Sequence, residues 1–115
     1  MTKEEFLKFH QDTCQKLFEI TKAKNSDYTG NGGPFANFEQ VENLGLCSTE
    51  VGILTRVLDK ISRLSSFTQK GTYEVKTESF EDACLDCANY MIILAAYMHS
   101  KRKNNENPAS IKVVK

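Results

Sequence analysis

At 115 residues the chain has room for one domain and one modest core. A composition of 40% hydrophobic and 26% charged residues is that of an ordinary globular domain rather than a disordered segment. The formal net charge of zero argues against non-specific binding to nucleic acid or membranes, which needs a basic excess.

The first element is a helix from about Lys3 to Lys24. Thr2 and Glu5 form a capping-box pattern ahead of it. Phe6, Phe9, Thr13, Leu17 and Ile20 recur at helical spacing, and Leu7, Cys14 and Phe18 widen the apolar face. "KNSDYTGNGGPFANF" then ends any helix, because glycine and proline break it. So long a loop is itself a functional hint in a compact domain. A short helix over Phe35 to Leu44 follows, with Gly45 as its stop. Ser48 or Thr49 caps the next helix, which runs to about Gln69 with an apolar stripe of Val51, Leu54, Val57, Leu58, Ile61 and Leu64. After "KGTYEVKTES", with a short extended piece at "TYEV", Thr77 or Ser79 caps a last helix reaching about Lys103. Residues 1–103 read as the domain and 104–115 as a tail, free or docked on a partner subunit. Three long helices and one short one make a small all-α bundle. Its wide apolar faces predict completion by a homo-oligomer, a dimer or tetramer.

No apolar run is long enough to span a membrane, and "MTKEEFLKFH" lacks a signal-peptide core, so a cytoplasmic location is expected. Cys14, Cys47, Cys84 and Cys87 then read as reduced thiols. "CLDC" suggests zinc or redox chemistry, but it falls inside a helix with no second pair, and His10 and His99 are not at zinc spacing. Small packing residues are the simpler reading.

Three sets of polar residues stand out. Glu50 falls within the Leu54, Val57 and Ile61 stripe, where a carboxylate is costly unless it is paired, metal-bound or at an exposed helix end. Asp82, Asp86 and Asn89 are spaced i, i+4, i+7, and Ile93 continues their face. A stripe that starts acidic and ends apolar points into the bundle. If the two helices run side by side with their N-termini close, Glu50, Asp82 and Asp86 converge, and Mg²⁺ is the natural ion for such oxygen donors. The ordinary alternative is two solvated acidic helix starts. The second set, Arg56, Asp59, Lys60 and Arg63, suits a phosphate chain, with Asp59 orienting the cations, or reads as plain intrahelical ion pairs. The third is Lys24, Asn25, Asp27 and Tyr28 in "AKNSDYTG", which offers a phosphate contact and a stacking ring but is also ordinary turn chemistry.

In their order, "AKNSDYTG", "PFANFE", "GILTRVLDKISRL" and "ESFEDACLDCANYMIIL" resemble the nucleotide modification associated domain 1 family of phages and bacteria. That family is similar to the all-α, MazG-like nucleoside triphosphate pyrophosphatases. The resemblance spans about Phe6 to Tyr97. It implies an oligomeric, Mg²⁺-dependent bundle that cleaves a nucleotide between its α- and β-phosphates, in the host cytoplasm if the chain is phage-encoded. On that reading Glu50, Asp82 and Asp86 hold Mg²⁺, with Glu50 and Asp86 catalytic. Lys24, Lys60 and Arg63 neutralise the phosphates with Asp59 orienting the cations, Tyr28 and Asn89 contact sugar or base, and Asp27 and Asn37 also belong to the substrate-binding set. The parent pattern is E-x-x-E followed by E-x-x-D. Here Ile53 takes the place of the second glutamate, and the later acids are four apart. The alternative is therefore a protein that sequesters a nucleotide or cyclic-nucleotide signal without cleaving it. A helical interaction module without a small ligand is the third reading.

Overall fold

The computed structural model describes residues 1–28, 32–72, 74–75 and 78–104, the side chains of 26–28, 74–75 and 78 excepted. The helices are α1 (Lys3–Tyr28), α2 (Gln40–Asn43), α3 (Thr49–Lys70) and α4 (Phe80–Asn104). Two-residue strands β1 (Glu74–Val75) and β2 (Glu78–Ser79) pair antiparallel in the α3–α4 connection, with Glu74 opposite Ser79 and Val75 opposite Glu78. The fold is the expected small all-α bundle, three helices long and one short. The expected cap at Thr77 lies outside the described residues, as do residues 105–115 of the expected tail.

Local chemistry explains the helix ends. The Thr2 hydroxyl accepts from the Glu5 N–H at 3.0 Å, and the Glu5 carboxylate accepts from the Thr2 N–H at 2.7 Å, a complete capping box. Ser48 caps α3 by accepting from the Val51 N–H at 3.2 Å. Gly71 closes α3 at φ 70°, a left-handed conformation that glycine adopts without a Cβ penalty. Gly52 lies inside α3 for a different reason. A Cβ there would come within 2.8 Å of Val41 Cγ2, so its missing side chain lets α2 lie directly on α3. The short helix is smaller than expected. Residues 34–39 form successive turns, and only Gln40–Asn43 is helical.

α3 and α4 run antiparallel. Glu50 meets Lys101 at 3.2 Å, Lys60 meets Asp86 at 3.0 Å, and the Phe67 and Phe80 rings lie 6.1 Å apart, so the start of one helix sits against the end of the other. The core between them is Ile53, Val57 and Phe67 from α3 with Ala83 and Tyr97 from α4, and α1 adds Leu17. This corrects the sequence-based stripe of α3. Val57 is buried as expected, but Val51, Leu54, Leu58 and Ile61 are 47–65% exposed, because α4 covers the Ile53 side of the helix. The expected apolar face of α1 is likewise only partly covered: Leu17 is buried, while Phe6, Leu7, Phe9 and Phe18 are exposed.

Candidate functional site

A cleft of about 780 Å³ opens between α1, α3, α4 and the 34–39 turns. Its shape follows from the aromatic residues of "PFANFE". Phe35 meets the Tyr97 ring edge-to-face at 5.4 Å, and Phe38 meets Tyr90 at 6.4 Å. Tyr90 and Tyr97 are seven apart and share one face of α4. The turns are thereby pinned along that helix by two aromatic pairs of a favoured geometry. Backbone bonds from the Phe38 and Glu39 N–H groups to the Phe35 carbonyl, at 2.9 and 3.0 Å, tighten the segment. The Asn25 amide donates to the Pro34 carbonyl at 3.3 Å and ties it to the end of α1. Asn37, between the two anchored rings, lines the cleft.

Three cationic side chains line the same space: Lys24 from α1 and Arg56 and Lys60 from α3. The Arg56 guanidinium stands 4.8 Å above the Phe38 ring, a cation–π contact that holds it toward the cleft. Lys60, 17% exposed, bonds to Asp86, 46% exposed. Asn89 Oδ1 accepts from the Thr21 hydroxyl at 3.0 Å, a bond that joins α1 to α4 and orients the amide. Of the acidic-to-apolar stripe on α4, Asp86, Asn89 and Ile93 line the cleft.

The other expected site residues lie elsewhere. Asp82 belongs to a capping box: its carboxylate accepts from the Ser79 N–H at 3.1 Å, and its own N–H donates to the Ser79 hydroxyl at 3.0 Å. The Ser79 amide, then the Ser79 hydroxyl, hold its carboxyl below the ordinary value of 3.8. Glu50 sits at the opposite end of α4 beside Lys101, about 28 Å up that helix from Asp82 at 1.5 Å per residue. Its own amide, then Lys101, lower the Glu50 pKa from 4.5, while its Oε1 is shielded from solvent without a hydrogen-bond partner. Nearby, Glu42 accepts from the Thr49 N–H and hydroxyl, both at 2.9 Å.

The expected convergence of Glu50, Asp82 and Asp86 is therefore corrected. The two helix N-termini lie at opposite ends of an antiparallel pair, so the three carboxylates do not form one Mg²⁺ site within the chain. Among the described residues, no group of three or more His, Cys, Asp or Glu side chains is placed to hold a metal ion. Asp59 and Arg63 pair with each other at 3.5 Å on an exposed face of α3 and do not line the cleft. Asp27 and Tyr28 fall in the last turn of α1, and their side chains are outside the described set.

Sequence reasoning missed Phe35, Phe38 and Tyr90 as part of the cleft. The matching signal was present: two phenylalanines three apart in the turns, and two tyrosines seven apart on α4. Cys84 is half-buried, and burial, then the neighbouring Cys87, raises its thiol pKa, as expected of a packing residue rather than a reactive one.

Fold and cleft together define a small all-α bundle with a ligand-sized cavity, aromatic on one wall and bearing three cationic side chains. No protein-family model, curated protein or solved structure matches the chain. No helix of the described residues is long and apolar enough to cross a membrane.

Proposed function

We propose that the chain binds a nucleotide, linear or cyclic, in the cleft between α1, α3 and α4. One observation carries this reading: Lys24, Arg56 and Lys60 line the same cavity as Phe35, Phe38, Tyr90 and three asparagines. Cations answer phosphate, aromatic faces answer a base, and carboxamides both donate to and accept from a base edge or sugar hydroxyl. A volume of about 780 Å³ is also the size of a small-molecule site. The resemblance to the nucleotide modification associated domain 1 family supports the same ligand class. Binding without cleavage is the reading we favour, because Asp86 is the one carboxylate among the described residues that line the cleft, and Lys60 already engages it.

Hydrolysis with Mg²⁺, as in the MazG-like enzymes, is the second reading, and Asp86 is the observation that keeps it. A lone carboxylate beside bound phosphates is the minimum from which a Mg²⁺ site is built, since this ion is held through one or two carboxylates plus substrate oxygens.

The test is a panel of nucleoside mono-, di- and triphosphates and cyclic nucleotides. Thermal shift reads binding, and chromatography reads products, each with Mg²⁺ and with chelator. A shift that survives chelator without product is expected. Product formed only with Mg²⁺ selects the hydrolase. No shift and no product across the panel removes the nucleotide reading.

A further inference from the structure

A second, smaller cavity of about 240 Å³ opens beside the last turns of α4. Phe35 lines both spaces, so one aromatic side chain is their common wall. Tyr97, Ser100, Lys101 and Asn104 of α4 and Glu39 of the turns complete the small cavity. The four α4 residues are spaced i, i+3, i+4, i+7, which places one aromatic and three polar groups on a single helix face. A volume below the roughly 300–1,000 Å³ of sites for drug-sized ligands leaves room for one ring rather than a whole nucleotide. The two spaces differ in charge. Among the described residues, the cleft presents three cations, Lys24, Arg56 and Lys60, to one carboxylate, Asp86. The small cavity balances one cation, Lys101, against one carboxylate, Glu39, and Lys101 is already bonded to Glu50 at 3.2 Å. Glu39 thus disfavours a phosphate there, and Lys101 disfavours an ammonium group. Among the described residues, the side chains of Glu39, Ser100 and Asn104 make no hydrogen bond to the protein. Neutral hydroxyls answer all of these groups at once, because a hydroxyl both donates and accepts. The C–H faces of a sugar ring are also apolar enough to lie against the Phe35 and Tyr97 rings.

We propose that the small cavity is a subsite for a neutral sugar ring carried beyond the phosphates of the ligand in the cleft, which makes that ligand a nucleotide sugar. The inference rests on the nucleotide reading of the cleft and names the class of nucleotide. The spacing agrees with it. The register set by Lys60–Asp86 and Glu50–Lys101 puts Arg56 level with α4 between residues 90 and 95, no more than about 10 Å along the helix from Tyr97. Lys24 adjoins Asn25, whose amide bonds the carbonyl of Pro34, the chain neighbour of Phe35. A phosphate held between Arg56 and Lys24 therefore carries its sugar past the Phe35 ring. A second base fits the cavity less well, because its single polar edge leaves most of the surrounding groups unmatched.

Calorimetry compares ADP with ADP-ribose, and UDP with UDP-glucose, so that each pair differs by one neutral sugar. In the wild type the sugar-bearing member of a pair binds about tenfold tighter or more, the gain from two or three added hydrogen bonds. Glu39→Ala, and separately Asn104→Ala at the exposed end of α4, each reduce that ratio by about threefold or more. A ratio taken within one variant cancels any general loss of affinity or of folded protein. Equal affinities within each pair overturn the subsite and leave the nucleotide reading standing. An advantage that survives both substitutions also overturns it. So does an advantage shown by diadenosine diphosphate and by neither sugar ligand, which assigns the cavity to a base. No binding by any of these ligands overturns it as well, and the nucleotide reading falls with it when the wider panel is silent.

Discussion

α3 and α4 are joined by two ion pairs of opposite polarity. At one end Glu50 of α3 faces Lys101 of α4 at 3.2 Å; near the middle Lys60 of α3 faces Asp86 of α4 at 3.0 Å. In sequence the two acids look alike, each a carboxylate among apolar neighbours. Their surroundings differ. Glu50 lies beside the Ser48 cap and the Glu42–Thr49 bonds, where it ties the start of α3 to the end of α4. Asp86 and Lys60 line the cleft, where, under the proposed function, a ligand phosphate would compete with the carboxylate for the ammonium. The two pairs thus differ in what surrounds them: Lys60 and Asp86 both line the large cleft, whereas Lys101 lines only a smaller cavity of about 240 Å³ and Glu50 lines neither.

The largest expected effect falls at the fastened end. Ile53 is 1% exposed, and Ile53→Ala removes the side chain that fills the space between α3 and α4 next to Glu50. A loss of about 2–5 kcal/mol is expected in urea denaturation. A loss below about 1 kcal/mol would mean that the helices barely depend on this packing, and the proposed roles of the two ends would have to be redrawn.

The next effect separates the pairs by function. Lys60→Met removes a charge-assisted contact and should weaken nucleotide binding by roughly 2 kcal/mol, about 30-fold, in calorimetry. Glu50→Gln should lower the melting temperature and leave affinity within about threefold, because it lies outside the cleft. The reverse pattern, with affinity lost at Glu50 and kept at Lys60, would move the ligand to the other end of the bundle.

The smallest effect is a pH dependence. Glu42, Glu50 and Asp82 all have folded-state pKa values lowered from 4.5, 4.5 and 3.8. Their stabilisation is therefore complete above those values and is lost as the pH falls through the lower folded ones. Lys101 is raised above 10.5 by Glu50, so its share is present below that pH and is lost as the pH climbs through the raised value. Denaturation midpoints should fall steadily below about pH 4.5, and Glu50→Gln should make that acid limb shallower. A limb unchanged in the variant would leave the Glu50–Lys101 pair without a stabilising role.

The sequence by itself determined the helices and most of their ends, although α1 runs on to Tyr28 past the expected Lys24 and the short helix keeps only Gln40–Asn43 of the expected Phe35–Leu44. Thr2 with Glu5, Ser48, Ser79 and Gly71 act on backbone groups within a few residues, so their chemistry is readable without knowing the fold. It also set out the polar residues worth watching: Lys24, Asn37, Lys60, Asp86 and Asn89 were picked from spacing, motif and resemblance, and all five line one cavity. Only the tertiary structure decided which of them meet. The direction of α4 relative to α3 separates Glu50 from Asp82, and no local pattern encodes that direction, because either orientation buries an apolar stripe. The same holds for the two sides of α3. Ile53 and Leu54 are equally apolar neighbours in sequence, and the position of α4 alone makes one core and leaves the other at the surface. The aromatic wall of the cleft depends likewise on Phe38 and Tyr90, residues far apart in the chain, which meet because the turns after α1 fold back across α4.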